Sequence, residues 1–238
     1  MPHVREAPTA VPDSAAGHAA IAGVFVGLPA VIGEVRGRPV ESAIAKAPVT
    51  APTLALSTTN LDGDRQADLS VHGGPDKAVY AYPVAHYPAW RADGFAVEVG
   101  GFGENLALEG VDEHAVLLGD VWRWGDAVLQ VSQPRAPCYK LALHRGRSDV
   151  GPRMLATGRC GWYLRVVRPG TVPTTGALEL VDRTDGAPSV AEAFAAMFGG
   201  GRGVPRDAAT VERVLASPAL ADGWRQPLLA RRSGADAT

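Results

Sequence analysis

The chain has 238 residues, 46% of them hydrophobic, and a formal net charge of −2. That is enough apolar material for one large domain, or for one domain with a small appendage. The lack of a basic excess argues against duplex nucleic acid as a partner, and no run approaches the ~18–20 apolar residues of a membrane span, so no membrane partner is expected.

Residues 1–19 are rich in Ala, Pro and His without periodicity and read as a flexible tail. The start lacks an apolar stretch behind a basic cap, so no secretory signal is expected. Two cysteines in a chain of this length point to reduced thiols and a cytoplasmic location. The first strand is predicted over Ile21–Val26. Short apolar runs split by Gly and Pro then predict strands at Val40–Ala45, Leu54–Leu56, Ala78–Tyr82, Ala127–Val131, Trp162–Val167 and Ala177–Val181. Leu118–Gly125 reads as a strand and turn in which Trp122 and Trp124 share one face and pack inward. His86–Arg91 fits a short helix inserted between strands. The pattern is that of a mainly β (α+β) protein, a sandwich or a barrel.

The pattern changes after Pro188. Ser189 and Glu192 form a capping box, with Val190, Phe194, Met197 and Phe198 on one helical face and Gly199 as the stop. A glycine-rich break follows at Gly199–Gly203. Asp207 caps a second helix with Val211, Val214 and Leu215 on one face, and Trp224, Leu228 and Leu229 suggest a third. The expected organisation is a tail at 1–19, a β domain at 20–186, an α-helical domain at 187–232 and a short tail at 233–238.

Three segments could carry chemistry. Cys138 follows Gln133-Pro-Arg-Ala-Pro137, two residues before Lys140 and three after Arg135. The prolines stiffen the run against helix, and neighbouring cations bias a thiol toward thiolate, the form that attacks substrates or binds soft metals. A buried structural thiol is the alternative. In the run Asp62–Lys77, His72, Asp76 and Lys77 surround a Gly73-Gly74 turn that could bring backbone amides against an anionic ligand. An ordinary polar turn is the alternative there. Gly100–Asn105 is a permissive glycine loop, not a P-loop, and Asn105 offers a donor and acceptor pair suited to a heterocycle edge. Cys160, between glycine-rich neighbours at a strand start, reads as a packed structural thiol. Arg159 and Arg165 are candidate anion clamps, with solvated surface charge the alternative for each and the simpler use of Arg165. The six histidines are scattered and show no zinc spacing.

Taken together, Gln66-Ala-Asp68, His72-Gly-Gly-Pro-Asp-Lys-Ala-Val79, Tyr82, His86-Tyr87 with Trp90, Gly101-Phe-Gly-Glu-Asn105, Gly119-Asp120, Gln130–Cys138 and Gly158–Tyr163 resemble the MOSC domain, the C-terminal domain type of molybdenum-cofactor sulfurases, in its stand-alone bacterial form. The resemblance runs from about residue 21 to residue 232; the long Ala/Pro tail departs from it. It implies a β-barrel-like core with a small three-helix C-terminal domain. It implies molybdenum cofactor (molybdopterin) as the cofactor, with the Cys138 thiolate as molybdenum ligand and catalytic residue. His72 and Asp76 would move protons. Gly73, Gly74, Lys77, Gly103, Asn105, Gln133, Arg135, Lys140 and Arg159 would hold the pterin and its phosphate. The implied activity is reduction of N-hydroxylated bases and related N-oxygenated small molecules. No flavin, nicotinamide or iron–sulfur motif occurs in the chain, so a separate electron-donating reductase is the implied partner. Two alternatives stay open: a sulfur carrier with a persulfide on Cys138, and a cofactor-binding protein without turnover. A homodimer through the helical appendage is also left open.

Overall fold

The structure, a computed structural model, describes residues 17–67, 73–199 and 207–235. The tail up to residue 16, Asp68, His72, the glycine-rich break at 200–206 and residues 236–238 lie outside the described residues. The strands are β1 (His18–Val26), β2 (Ala30–Val35), β3 (Arg38–Ser42), β4 (Ala47–Pro48), β5 (Thr53–Leu56), β6 (Val79–Pro83), β7 (Leu106–Glu109), β8 (Val121–Trp124), β9 (Ala127–Pro134), β10 (Trp162–Arg168), β11 (Gly170–Pro173) and β12 (Ala177–Asp182). The helices are α1 (Tyr87–Ala92), α2 (Tyr139–Arg145), α3 (Val150–Thr157), α4 (Val190–Phe198), α5 (Ala208–Ala216) and α6 (Asp222–Ala235).

Strands β12-β8-β9-β10-β6-β7-β1 hydrogen-bond in that order, and β1 pairs back onto β12 to close a barrel. Every step is antiparallel except β6–β7, where Ala81 faces Leu106 in parallel. A parallel neighbour needs a crossover. Residues 84–105 supply it, carrying α1 and the glycine loop. Its interior is aromatic: Phe102 lies 4.9 Å from both Tyr82 and Trp90, ring centre to ring centre. Burying Phe102 alone stabilises by roughly 1.5–3 kcal/mol. The glycine loop wraps a buried carboxylate, because Glu104 accepts the N–H of Gly100 at 2.7 Å and of Phe102 at 3.1 Å, with Tyr87 donating its hydroxyl.

The barrel interior follows period-two logic. Trp122 and Trp124 are buried on one face of β8, with the exposed Arg123 between them. Strand β1 begins three residues ahead of the predicted Ile21, and β3 spans Arg38–Ser42 instead of Val40–Ala45. Strand β2, not predicted, pairs with β3 through a two-residue turn whose Arg36 and Gly37 both have positive φ (52° and 72°), the geometry of a type I′ hairpin. Helices α2 and α3, also not predicted, follow Cys138.

Helix α4 starts at the predicted capping box: Ser189 Oγ accepts the Glu192 N–H at 3.1 Å, and Glu192 accepts the Ser189 N–H at 2.8 Å. Asp207 caps α5 by accepting the Thr210 N–H at 2.6 Å. One hydrophobic cluster runs from Trp124 and Leu129 in the barrel to Phe194, Val214 and Trp224 in these helices. The start of α6 is fastened to the barrel where Ala221 N–H donates to Ser132 O of β9 at 3.1 Å.

Candidate functional site

A cavity of about 270 Å³ opens at one end of the barrel. Its wall draws on the segment after β3 (Ser42 to Lys46), the loop after β5 (Asp64 to Ala67), Gly73 and Lys77, the glycine loop, the run Gln133–Cys138 with Lys140, and Gly223-Trp224 of α6. Strand register explains one side of it. Gln133 of β9 faces Tyr163 of β10, and Tyr163 faces Tyr80 of β6. Directly opposed residues point to one face of a sheet, so these three side chains form a rung across the cavity wall. Tyr80 and Tyr163 rings sit 5.3 Å apart, and the Arg135 guanidinium lies 5.0 Å from the Tyr80 ring centre. Burial pushes both phenols above their ordinary pKa, against the opposing pull of Arg135.

The wall is cationic. Lys46, Arg65, Lys77, Arg135 and Lys140 line it, with Asp64 as the one carboxylate among the lining residues. Asp64 is buried and ion-paired with Lys46; it also accepts the N–H of Gly27 at 2.8 Å and Asn105 Nδ2 at 3.0 Å. Burial lowers the Lys46 pKa, and Asp64 offsets part of that. Burial lowers Lys77 as well, with Asp76 opposing. Lys140 donates to Glu41 O at 3.0 Å and so ties α2 to the end of β3. Cys138 is a free, half-buried thiol with extended backbone just ahead of α2.

Among the described residues, three buried side-chain polar atoms have no hydrogen-bond partner: Gln133 Oε1, Arg135 Nη1 and Trp224 Nε1. All three belong to residues lining this cavity. An orphaned buried polar atom costs about 1–3 kcal/mol. That all three residues border one cavity makes it the place among the described residues where a polar ligand could supply missing bonds.

The predicted residues divide as follows. Gly73, Lys77, Gly103, Asn105, Gln133, Arg135, Cys138 and Lys140 line the cavity. Asn105 spends its amide inside the wall: Nδ2 donates to Phe25 O at 3.1 Å and to Asp64, while Oδ1 accepts the Tyr80 N–H at 3.1 Å. Gly74 and Asp76 are not among the lining residues; Asp76 is ion-paired with Arg165 at 2.8 Å, and Arg165 also donates to Ala219 O at 2.8 Å. Arg159 also lies outside the lining, 7% exposed, ion-paired with Asp93 at 2.7 Å and 5.4 Å from the Trp90 ring. His72 lies outside the described residues. Cys160 is fully buried, and burial pushes its thiol pKa well above the ordinary range, with the nearby Glu113 carboxylate adding to the shift. Lys46, Asp64, Tyr80, Tyr163 and Trp224 were not singled out as site residues by sequence.

The MOSC domain profile matches residues 68–178. Protein YiiM of Escherichia coli (strain K12) is 41% identical over 202 residues, spanning 82% of this chain and 86% of that protein. This chain is a MOSC-domain protein of the YiiM type. The crystal structure of YiiM from Geobacillus stearothermophilus superposes with a TM-score of 0.71 at 33% identity, covering 90% of this chain and 98% of that one. A protein named Reductase from Gibberella moniliformis (strain M3125 / FGSC 7600) is 37% identical over 152 residues, which are 62% of this chain and 27% of that protein. The matched residues leave out β1, which closes the barrel, and the helices α4–α6 packed against it. MOSC domains are associated with binding of the molybdenum cofactor. No helix among the described residues of this MOSC protein is long and apolar enough to cross a membrane.

Proposed function

We propose that the cavity holds the molybdenum cofactor and that the protein is a molybdenum-dependent reductase of N-hydroxylated bases and related N-oxygenated compounds. One observation carries this reading: a half-buried free thiol, Cys138, and Arg135, whose buried Nη1 has no partner, belong to residues that line one cation-rich cavity. The donor set fits the group. Arg135, Lys77 and Lys140 suit its anionic phosphate, arginine with a bidentate grip. Gly73 and Gly103 give backbone access, and Gln133 offers an acceptor. Cys138 supplies a soft thiolate for a metal. Arg159, held by Asp93, would act from behind the wall.

When bound, the cofactor supplies a metal that cycles between oxidation states and takes up an oxygen atom. The chain's own part is to orient, to exclude water and to move protons. The Tyr80–Tyr163 rung with Arg135 over it forms an aromatic wall against which a planar base packs. Of the proposed proton carriers, Asp76 has its carboxylate engaged by Arg165, and His72 precedes the lining residue Gly73 in the sequence. Cleavage of an N–O bond consumes two electrons and two protons and releases water. A separate reductase protein would deliver the electrons.

The test is molybdenum and pterin content of protein purified without oxygen from a cofactor-replete host, together with turnover of an N-hydroxylated base by a reduced viologen. Wild type should hold stoichiometric metal and turn over. Cys138→Ala should lose both, whereas Cys160→Ser should keep most of both. Metal and turnover retained in Cys138→Ala would overturn the assignment. Absence of metal from wild type, with a cyanide-labile sulfur on Cys138, would replace the reductase with the sulfur carrier.

A further inference from the structure

We infer that the first turn of α6 completes the ligand cavity, with Trp224 Nε1 and Gln133 Oε1 acting as the donor and acceptor that select an N-heterocycle bearing an amide- or amidine-type edge. This rests on the reductase reading and deepens it by naming what reads the heterocycle.

The indole N–H can only donate. In Trp224 the side chain is 3% exposed, yet Nε1 has no partner. Core tryptophans normally find one, as Trp124 does by donating to Pro173 O at 2.8 Å and Trp90 by donating to the Tyr82 hydroxyl at 2.6 Å. Gln133 carries the complementary deficit. Its Nε2 donates to Pro134 O at 3.4 Å, while Oε1, an acceptor, is buried and unused.

The two side chains stand on one frame. Ala221, three residues before Trp224, donates its N–H to Ser132 O, the residue next to Gln133, at 3.1 Å. Arg165 of β10 donates to Ala219 O at 2.8 Å and fastens the same segment from the neighbouring strand. The Trp224 ring is braced edge-on by Phe198 at 5.8 Å. Placement is therefore set before any ligand arrives, which is the condition for discrimination through hydrogen bonds. A ligand that satisfies both atoms must present an acceptor and an N–H together. A purine, a pyrimidine or a pterin holds the two side by side on one rigid plane; hydroxylamine carries both groups but on two freely rotating atoms, with no planar edge. Sites built to hydrogen-bond a substrate group reject analogues lacking it far more strongly than apolar pockets do.

The heterocycle can come from the pterin of the cofactor or from the base being reduced, and one experiment separates them. Trp224→Phe keeps a ring and removes the N–H. Gln133→Met keeps the length and removes the acceptor. Both are purified without oxygen from a molybdenum-replete host beside wild type. Three quantities are measured: pterin and molybdenum per chain, KM for N-hydroxycytosine relative to KM for hydroxylamine, and calorimetric binding of cytosine and of free pterin. If the pair reads substrate, pterin content holds and the KM ratio rises about 3–10-fold in each variant, the loss of one hydrogen bond. If it reads cofactor, pterin content falls in both variants and the KM ratio of the remaining holoenzyme holds. Pterin content, KM ratio and heterocycle binding all equal to wild type in both variants would overturn the inference. A wild type without metal or turnover would sink the reductase reading instead. The calorimetry then decides: heterocycle binding weaker by about 3–10-fold in Trp224→Phe supports the pair, and equal binding overturns it.

Discussion

Replacing Asp64 by Ala removes a carboxylate that three donors share: the Lys46 ammonium, the Gly27 N–H at 2.8 Å and Asn105 Nδ2 at 3.0 Å. The side chains of Lys46 and Asp64 are 7% and 1% exposed. Breaking a buried pair on one side typically costs about 3–5 kcal/mol, because the other charge is left buried and uncompensated. Lys46 lines the cavity, so water can reach its head group and the lower figure, about 3 kcal/mol, is expected. For a chain of this size that corresponds to a fall in Tm of roughly 6–12 °C. The double variant Lys46→Met/Asp64→Asn removes both charges and keeps an acceptor for Gly27, so its cost should drop to about 1 kcal/mol. The pH dependence has a definite sign. Burial holds the folded pKa of Lys46 below 10.5. Between that folded value and 10.5 the unfolded chain binds the extra proton, so stability rises with pH through this window. Loss of Asp64 lowers the folded value further and widens the window, so the deficit of Asp64→Ala should shrink under alkaline conditions. Urea unfolding from neutral to alkaline pH, with m-values compared, is the assay. A deficit under about 1 kcal/mol at neutral pH, or a double variant no better than the single, would refute the argument.

Gly103→Ala should cost more than Gly74→Ala. Both positions have positive φ, 79° and 85°, so both variants carry backbone strain of about 1–3 kcal/mol. At Gly103 an added Cβ would also meet Ile44 Cγ1 at 2.6 Å and Ile44 O at 3.1 Å, whereas at Gly74 it meets nothing within 4 Å; equal costs in urea unfolding would refute the packing account. Hydrogen bonds from Arg153 and Arg159 lower the Asp93 pKa to about 2. Its contribution to stability is then fully present above the ordinary 3.8 and lost as pH falls through about 2. Carboxyl NMR should find Asp93 titrating near the low value and returning toward the ordinary one in Arg153→Ala; an ordinary value in wild type would remove the ion pairs from consideration.

Local chemistry was legible in the sequence where the signal is local. The capping box at Ser189 and Glu192, the Asp207 cap and the shared face of Trp122 and Trp124 all depend on neighbours within three residues. Helices α2 and α3 are faint in the sequence: α2 is seven residues long, follows the proline run directly and has Cys138 at its N-cap, and α3 is eight residues long and carries Gly151 and Pro152, both poor helix formers. Strand β11 contains Gly170 and Pro173, both strand breakers, and is held by its pairing with β5. Within the site, the cysteine run and the glycine turns were visible as motifs. The rung Tyr80–Tyr163–Gln133 was not, since it depends on the registers of two strand pairs. The Lys46–Asp64 pair joins residues 18 apart with β4 and β5 between them, and the Trp224 position depends on where α6 docks. Composition records none of these.

The closure of the barrel and the assembly of its cavity impose an order on biogenesis. Strand β1 is made first, but its partner β12 is complete only at Asp182. During synthesis one edge of β1 must wait exposed for most of the chain's passage through the ribosome. The cavity wall waits longer, because its last pieces are Gly223 and Trp224. A nascent chain therefore exposes Cys138 well before it can enclose anything around it. The complete wall exists only once Gly223 and Trp224 have been made, and a protein stalled between β12 and α6 would present an open barrel end with its thiol unshielded.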